Sequence, residues 1–430
     1  MSHVFYRDLN IDYPNISHGK GIYLWSTDGK RYIDAASGAL VANLGHGRED
    51  IARALYEQAQ RVTFAHTLRF TTAAQEEFAM RVNDALGAPG WYTYAVSGGS
   101  EATETAVKLA RQIHLERGEQ TRYRVLSRRA SYHGNTLGAL AASGLAERQR
   151  PYYPLLSEAF VQIDPPKASC PGISEGGMCA CLTPFEQAIQ QFGAETIAAI
   201  IVEPVGGASR SGFVPHTGYL PGLRRLCDQH GIILILDEVM TGFGRTGKMM
   251  GYEHDMVTPD LITAAKGLSG GYAPLGAVIA SQPVYDIIRT GTGRFAHGLT
   301  YSGNPLSTAV GAKMLEILTR ENVVANAATQ GARLVAGLET LSAPYSWVRA
   351  IRGHGLMRGV LLEPRAGLAA QLVRRAWDAG IILYLGHGEA EGGDGEHFLI
   401  APPLIIAPDE IDGLLVHLHD IFAAVDRKLS

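Results

Sequence analysis

Residues 231–249 read GIILILDEVMTGFGRTGKM, and residues 260–268 read DLITAAKGL. In each, an apolar run of strand length ends abruptly on charge: Asp237 and Glu238 in the first, Lys266 in the second. A short continuous apolar run bounded by turn residues is the mark of a strand buried on both faces. Working outward from these two, Gly231–Leu236 and Leu261–Ala264, the same reading covers Trp91–Val96, Tyr123–Leu126, Ile197–Val202 and Leu275–Ala280. Helical patterns at Ser100–Arg117, Thr183–Phe192 and Gly218–His230 lie between several of them. Strands alternating with helices predict an α/β fold, a mostly parallel central sheet covered by helices. Residues 50–310 form the expected large domain. Strand-like segments near Val348–Arg352, Leu356–Leu362 and His397–Ile400, after a helical stretch Leu306–Arg320, predict a smaller α+β domain of residues 311–430. The N-terminal pieces Ile22–Ser26 and Arg31–Asp34 fit no slot in the large domain, so residues 1–49 are assigned to the small one.

Composition narrows the function. Of 430 residues 46% are hydrophobic and 19% charged, enough apolar side chain for large cores and too little charge for a disordered chain. Lys and Arg number 38 against 42 Asp and Glu, so no basic field gathers nucleic acid or anionic lipid. The start, MSHVFYRDLN, lacks an apolar signal core and no run is long enough for a membrane span, which predicts a cytoplasmic protein. Four cysteines are too few to staple the chain, and a reducing compartment keeps them as thiols. Cys170, Cys179 and Cys181 follow a C-x8-C-x-C spacing without the usual close pair or a nearby histidine, so no metal is expected.

Ligands of open α/β sheets bind beyond the carboxyl ends of the strands. After Val96 comes Ser97-Gly98-Gly99-Ser100-Glu101, small residues opening a helix, read either as a phosphate cradle or as an ordinary cap by Ser100. Tyr132-His133-Gly134 sits at another corner. Asp237 and Glu238 are costly behind an apolar run unless one meets a cation or donor. Lys266 is delivered to a buried strand end, where a desolvated amine becomes nucleophilic. The run Gly242–Gly247 matches a dinucleotide pattern and nearly a P-loop, but Met249 stands where a P-loop needs Ser or Thr, and the strand corner carries acids that repel a pyrophosphate. A phosphate for the cradle, a protonated ring nitrogen for Asp237, an aldehyde for Lys266 and a flat face for Tyr132 together describe pyridoxal 5′-phosphate.

The sequence resembles the class III (ω-) aminotransferases of fold type I: LILDEVMTGFGRTG, DLITAAKGL, VSGGSEATETAVKLAR, SYHGNTLGAL, IVEPVGG, HGLTYSGNPL and APPLIIAPDEID occur in the family's order. The resemblance implies that Lys266 carries the cofactor as a Schiff base and Asp237 pairs with its ring nitrogen. It implies that Gly99 and Ser100 hold the phosphate, Tyr132 and Val239 cover the ring faces, and His133 and Glu203 complete the cofactor site. Thr300 is implied to reach the phosphate of a neighbouring subunit, making the site the property of a homodimer, with the loop Gly291–Gly298 approaching the partner. The implied reaction moves an amino group from an amine donor to a keto acid by a ping-pong mechanism.

Departures from the family pattern bear on substrate. Members resembling ornithine or GABA aminotransferase pair a glutamate with an arginine as a carboxylate gate; the corresponding positions here are Ala208 and Leu399, and a frequent glutamine is Met240. The expected donor is therefore an amine or ω-amino compound, the expected acceptor pyruvate, and the pocket walls Leu40, Tyr132 and Leu399. Arg69 and Arg210 are the substitute carboxylate binders, and the loop Gly386–Gly395 is a further place for specificity. An aminomutase, racemase or lyase on the same fold is the alternative, since the angle of the broken bond to the ring decides the outcome.

Overall fold

A computed structural model describes residues 2–88, 90–167, 170, 179–387 and 396–429. Its strands are β1 (Ile16–Lys20), β2 (Tyr23–Ser26), β3 (Arg31–Ile33), β4 (Trp91–Val96), β5 (Arg124–Arg128), β6 (Phe160–Ile163), β7 (Ile197–Val202), β8 (Ile233–Asp237), β9 (Leu261–Ala264), β10 (Gly276–Ser281), β11 (Val348–Arg352), β12 (Arg358–Leu362), β13 (Tyr384–Leu385) and β14 (His397–Ile400). Seven of them make the central sheet in the order β4-β10-β9-β8-β7-β5-β6. From β9 through β6 all neighbours are parallel. The run read as Leu275–Ala280 is β10, which runs antiparallel to both β4 and β9. The edge strand β6 was not among the expected strands.

Every position of β7 and β8 is buried, because both faces of the sheet are covered. Alternation along each strand sends neighbours to opposite layers. Ile200, Leu234 and Leu236 join a core with Leu220 and Leu223 of the helix Tyr219–His230 and Phe185 of the helix Thr183–Phe192. Ile201, Ile233 and Ile235 join another with Ala102, Ala106, Ala110 and Ile113 of the helix Gly99–Glu116. The small alanines let that helix approach the strands closely.

Strands β1, β2 and β3 form a separate antiparallel sheet, and β11-β12-β14-β13 a four-stranded one. The two meet where Ile33 bridges Ile381, and Ala401 N–H donates to the Ala35 carbonyl at 2.7 Å. Arg245, fully buried in the Gly242–Gly247 loop, fastens them to the exit of β8. Its guanidinium donates to the carbonyls of Leu356 (3.0 Å) and Pro402 (2.6 Å), to Ser37 Oγ (3.1 Å) and to Asn43 Oδ1 (2.7 Å). The loop that mimics a nucleotide motif thus serves as a brace. Among the described residues no helix is long and apolar enough to cross a membrane. The expectation of four thiols is corrected at one pair: Cys170 and Cys181 stand in disulfide contact, their Cα atoms 6.2 Å apart, while Cys179 and Cys227 are free and buried.

Candidate active site

Sheet register brings the singled-out residues together. Val202 pairs with Leu236, so Glu203 leaves β7 beside Asp237 at the end of β8. Asp237 pairs with Thr263, which puts Lys266, three residues on, just past the end of the neighbouring strand. Ala277 of β10 lies opposite Ala264 on one side and Ala95 on the other, so β4 runs out into Ser97-Gly98-Gly99-Ser100 at this same edge. One cavity there is lined by Gly99, Ser100, Tyr132, His133, Glu203, Asp237, Val239 and Lys266. The remaining expected residue, Thr300, is exposed and lies outside this cavity of its own chain. Val205, Thr241, Ala265 and Gly134 line it too, although nothing in their type had marked them; their only signal was adjacency to Glu203, Asp237, Lys266 and His133.

Lys266 follows β9 at the start of the tight turn Lys266–Leu268, with a left-handed φ of 46°. Burial pushes its amine down from the usual 10.5 to about 8, against the pull of Asp237 and Glu203 and with a smaller push from Arg245. The two acids of the β8 corner part ways. Asp237 Oδ2 lies 2.6 Å from His133 Nδ1, and its Oδ1 accepts from Val239 N–H at 3.1 Å. A carboxylate on Nδ1 keeps the proton on that nitrogen. Glu238 turns away from the cavity and accepts from Gly251 N–H (2.9 Å), Tyr252 N–H (2.8 Å) and the Thr241 hydroxyl. Burial raises its carboxyl to about 7 despite those three donors. Glu203 is also raised, first by burial, with His133 and Arg128 opposing. Arg128, which sequence reasoning passed over, is fully buried; it donates to the Glu203 carbonyl at 2.8 Å and stands 3.7 Å from Glu203 Oε2. His133 Nε2 and Glu203 Oε2 are buried without a hydrogen-bond partner among the described residues.

The ordinary cap by Ser100 is not made. The helix Gly99–Glu116 begins with Gly98 as its cap residue and no side-chain cap bond. Ser100 Oγ instead accepts from Asn135 N–H at 2.9 Å, and Glu101 accepts from Ser97 N–H at 2.7 Å. The first turn's N–H groups are left for a ligand at the positive end of the helix. A Cβ on Gly99 would lie 3.3 Å from Val239 Cγ1, so the missing side chain keeps the cradle open toward the cavity floor.

An apolar cluster backs the cavity through Val205 and Met240, which line it; of the expected pocket walls Tyr132 lines the cavity, whereas Leu40 and Leu399 are buried behind it and do not. Leu40, Val205, Met357, Leu399 and Ala401 form one buried cluster, with Ala208, Met240 and Tyr384 packed on it. The gate positions Ala208 and Leu399 both belong to it, and the Ala208 carbonyl accepts from His387 N–H at 2.9 Å, with His397 Nε2 2.8 Å away. Arg69 is exposed and does not line the cavity; Arg210 is buried with its guanidinium 4.3 Å from the Phe213 ring centre. From residue 388 to 395 the loop Gly386–Gly395 lies outside the described residues. The loop Gly291–Gly298 is pinned along its own chain's helix, with His297 Nε2 2.9 Å from Thr105 Oγ1 and Ala296 N–H donating to Gln112 Oε1 at 2.8 Å.

Solved structures share this architecture. An (S)-enantioselective omega-transaminase from Thermomicrobium roseum matches with a TM-score of 0.89 and 34% identity, covering 99% of this chain and 96% of that one. An amine transaminase from an uncultivated Pseudomonas species, solved in its PLP-bound form, matches at 0.88 and 32%, covering 98% and 97%. The fold is therefore the pyridoxal-phosphate fold type I of class III transaminases. The family model described as Aminotransferase class-III matches residues 7–422, and the chain belongs to that family. Among curated relatives, the uncharacterized aminotransferase YodT of Bacillus subtilis is 32% identical over 446 residues, covering 100% of this chain and 99% of its own. The chain is an enzyme of the aminotransferase class, and amino-group transfer is its reaction.

Proposed function

We propose that the chain uses pyridoxal 5′-phosphate to move an amino group from an amine or ω-amino compound to a keto acid, pyruvate before 2-oxoglutarate, in two successive half-reactions. The observation that carries this reading is the convergence of Lys266, Asp237 and the uncapped helix start on one cavity. The residues present fit the cofactor: an amine depressed toward neutrality for its aldehyde, an acid for its ring nitrogen, free N–H groups for its phosphate, and the buried, unpartnered His133 Nε2 and Glu203 Oε2 beside them. When bound, pyridoxal phosphate supplies an electron sink for the carbon that loses its proton. Asp237, steadied by His133, holds the proton on the ring nitrogen. Lys266, neutral in part near its lowered pKa, takes the proton from the substrate carbon and returns it elsewhere. Gly99 and Ser100 anchor the phosphate, and Tyr132 and Val239 exclude water from the ring faces. Arg128 keeps Glu203 in place from behind. The division into residues 50–310 and residues 1–49 plus 311–430 belongs to the same proposal, as does the homodimer, with Thr300 reaching the phosphate in the partner's site.

The donor class rests on the apolar cluster. A substrate carboxylate pressed on Val205 and Met240, the members of that cluster that line the cavity, loses its hydration with nothing to replace it. An apolar amine loses nothing. The test mixes holoenzyme with a panel of simple amines, ω-amino acids and glutamate, and follows formation of pyridoxamine phosphate spectroscopically. Faster conversion by amines than by glutamate supports the reading; fastest conversion by glutamate contradicts it. If no donor converts the cofactor and one amino acid is isomerised or cleaved, the reaction is not transamination.

A further inference from the structure

None of the four cysteines takes part in this chemistry, and three of them stand together. Cys170 stands in the connection that follows β6, while Cys179 and Cys181 flank the entry into the turn Ala180–Leu182 that leads to the helix Thr183–Phe192. Cys179 and Cys181 are buried and Cys170 is half-buried. Their three Sγ atoms all lie within 4.8 Å of one another. Cys170 Sγ and Cys179 Sγ are 3.5 Å apart. Two thiolates held at about 2.3 Å by one tetrahedral ion stand about 3.8 Å apart, so this spacing suits a shared ion. Cys170 and Cys181 are in disulfide contact, with Cα atoms 6.2 Å apart. A disulfide uses two sulfurs and leaves the third, buried at their side, without a role; a single soft cation uses all three.

Tyr219 lies within electrostatic reach of Cys179, Arg128 and Arg210, and the Arg128 guanidinium stands 5.8 Å from the Tyr219 ring centre. Cys170 also lines a cavity with Lys167 and His216, which leaves room for a fourth, non-protein ligand. The C-x8-C-x-C spacing argued against a metal because the ligand pairs of metal sites are usually close in sequence; here the fold closes the long interval instead.

We propose that in the reduced protein Cys170, Cys179 and Cys181 together hold one soft divalent cation, with zinc as the reference ion and water as the fourth ligand. Binding replaces three S–H protons by one metal ion and releases three protons to solvent. Starting from the Cys170–Cys181 disulfide, a dithiol or phosphine reductant first supplies two electrons and is itself oxidised, and the two sulfurs take up two protons. The ion ties the connection after β6 to the head of the helix Thr183–Phe192, behind Tyr219 and Arg128. This site stands independently of the transaminase reading.

The test uses the full-length protein, stripped with a chelator, reduced with a phosphine and titrated anaerobically with Co2+ alone. The expected result is saturation at one ion per chain, with a thiolate-to-metal charge-transfer band and the visible bands of a tetrahedral ion, both displaced by an equal amount of Zn2+. Cys179→Ala removes a core side chain as well as a ligand, so the half-buried Cys170→Ala is the deciding variant: it abolishes the bands, while Cys227→Ala preserves them. No thiolate band in the reduced wild type, or a band that survives Cys170→Ala, overturns the proposal and leaves the disulfide as the cluster's whole role.

Discussion

At Lys266 the backbone and the side chain are both held in unfavourable states. A φ of 46° on a residue with a Cβ costs on the order of 1–3 kcal/mol, and an amine among apolar strand ends gives up hydration. Both costs serve to point a partly neutral nitrogen into the cavity. In the unfolded chain this lysine keeps its proton up to about the usual 10.5, whereas in the folded chain it releases it near 8. The unfolded state therefore holds more protons between those values, so this group's contribution to stability rises with pH across that window. The corresponding reactivity is measurable: in the apoprotein, modification of the Lys266 peptide by trinitrobenzenesulfonate should rise with a midpoint near pH 8, while peptides of exposed lysines follow near the ordinary value. A midpoint shared with the exposed lysines contradicts the assignment. Asp237 and Glu238 differ in the same local way. Asp237→Asn should keep the fold and the cofactor but lower turnover at least about 100-fold, because an amide cannot hold a proton on the ring nitrogen. Glu238→Gln should lower the melting temperature, since it disturbs three donors, and leave turnover within a few-fold. Steady-state rates and thermal melts of the two variants separate these outcomes.

Among the elements, the helix Gly99–Glu116 carries the phosphate argument. Ser100 Oγ links it to Asn135 N–H, so the hydroxyl supports the corner that bears Tyr132 and His133 as well as the cradle. Ser100→Ala should weaken cofactor binding by about 1 kcal/mol, roughly fivefold in Kd, measured by titrating apoprotein with pyridoxal phosphate; unchanged Kd would remove the hydroxyl from the site. Strands were legible where the apolar or β-branched run is unbroken, whether fully buried as in Ile197–Val202 and Leu261–Ala264 or partly so as in Trp91–Val96. Trp91–Val96, Ile197–Val202 and Leu261–Ala264 are continuous apolar or β-branched runs, and their bounds match the strands found. The edge strand Phe160–Ile163 was not legible: it has four residues, one of them Gln162, and only its last is fully buried. Lys266 and Asp237 stood out because a charge closing an apolar run is physically expensive. Arg128 and Val205 did not, because their meaning comes from register, which pairs Val125 with Ala199 and Leu126 with Ile200 and leaves no local trace. The cysteine group was visible in the sequence, but its spacing alone argued against any link between the three sulfurs.

In the whole molecule, the sheet edge gathers eight of the nine expected residues into one chain's cavity and leaves Thr300 outside and exposed. That outlier is the reason to look to a second copy. Lys266→Ala and Thr300→Ala, purified separately and inactive or nearly so, should recover about a quarter of wild-type activity when equal amounts exchange subunits, because half of the pairs are mixed and each holds one intact site. Failure to recover activity despite proven exchange, or a monomer in sedimentation, removes Thr300 from the site. The apolar cluster behind the cavity, which includes Leu40 and Leu399 with Met240 packed on it, likewise joins segments far apart in the sequence. All of it depends on Lys266 being the residue that carries the cofactor. Borohydride reduction of the holoenzyme followed by peptide mapping tests this directly: the account predicts one phosphopyridoxyl group per chain, on Lys266, and a label on Lys248 or any other lysine would contradict it.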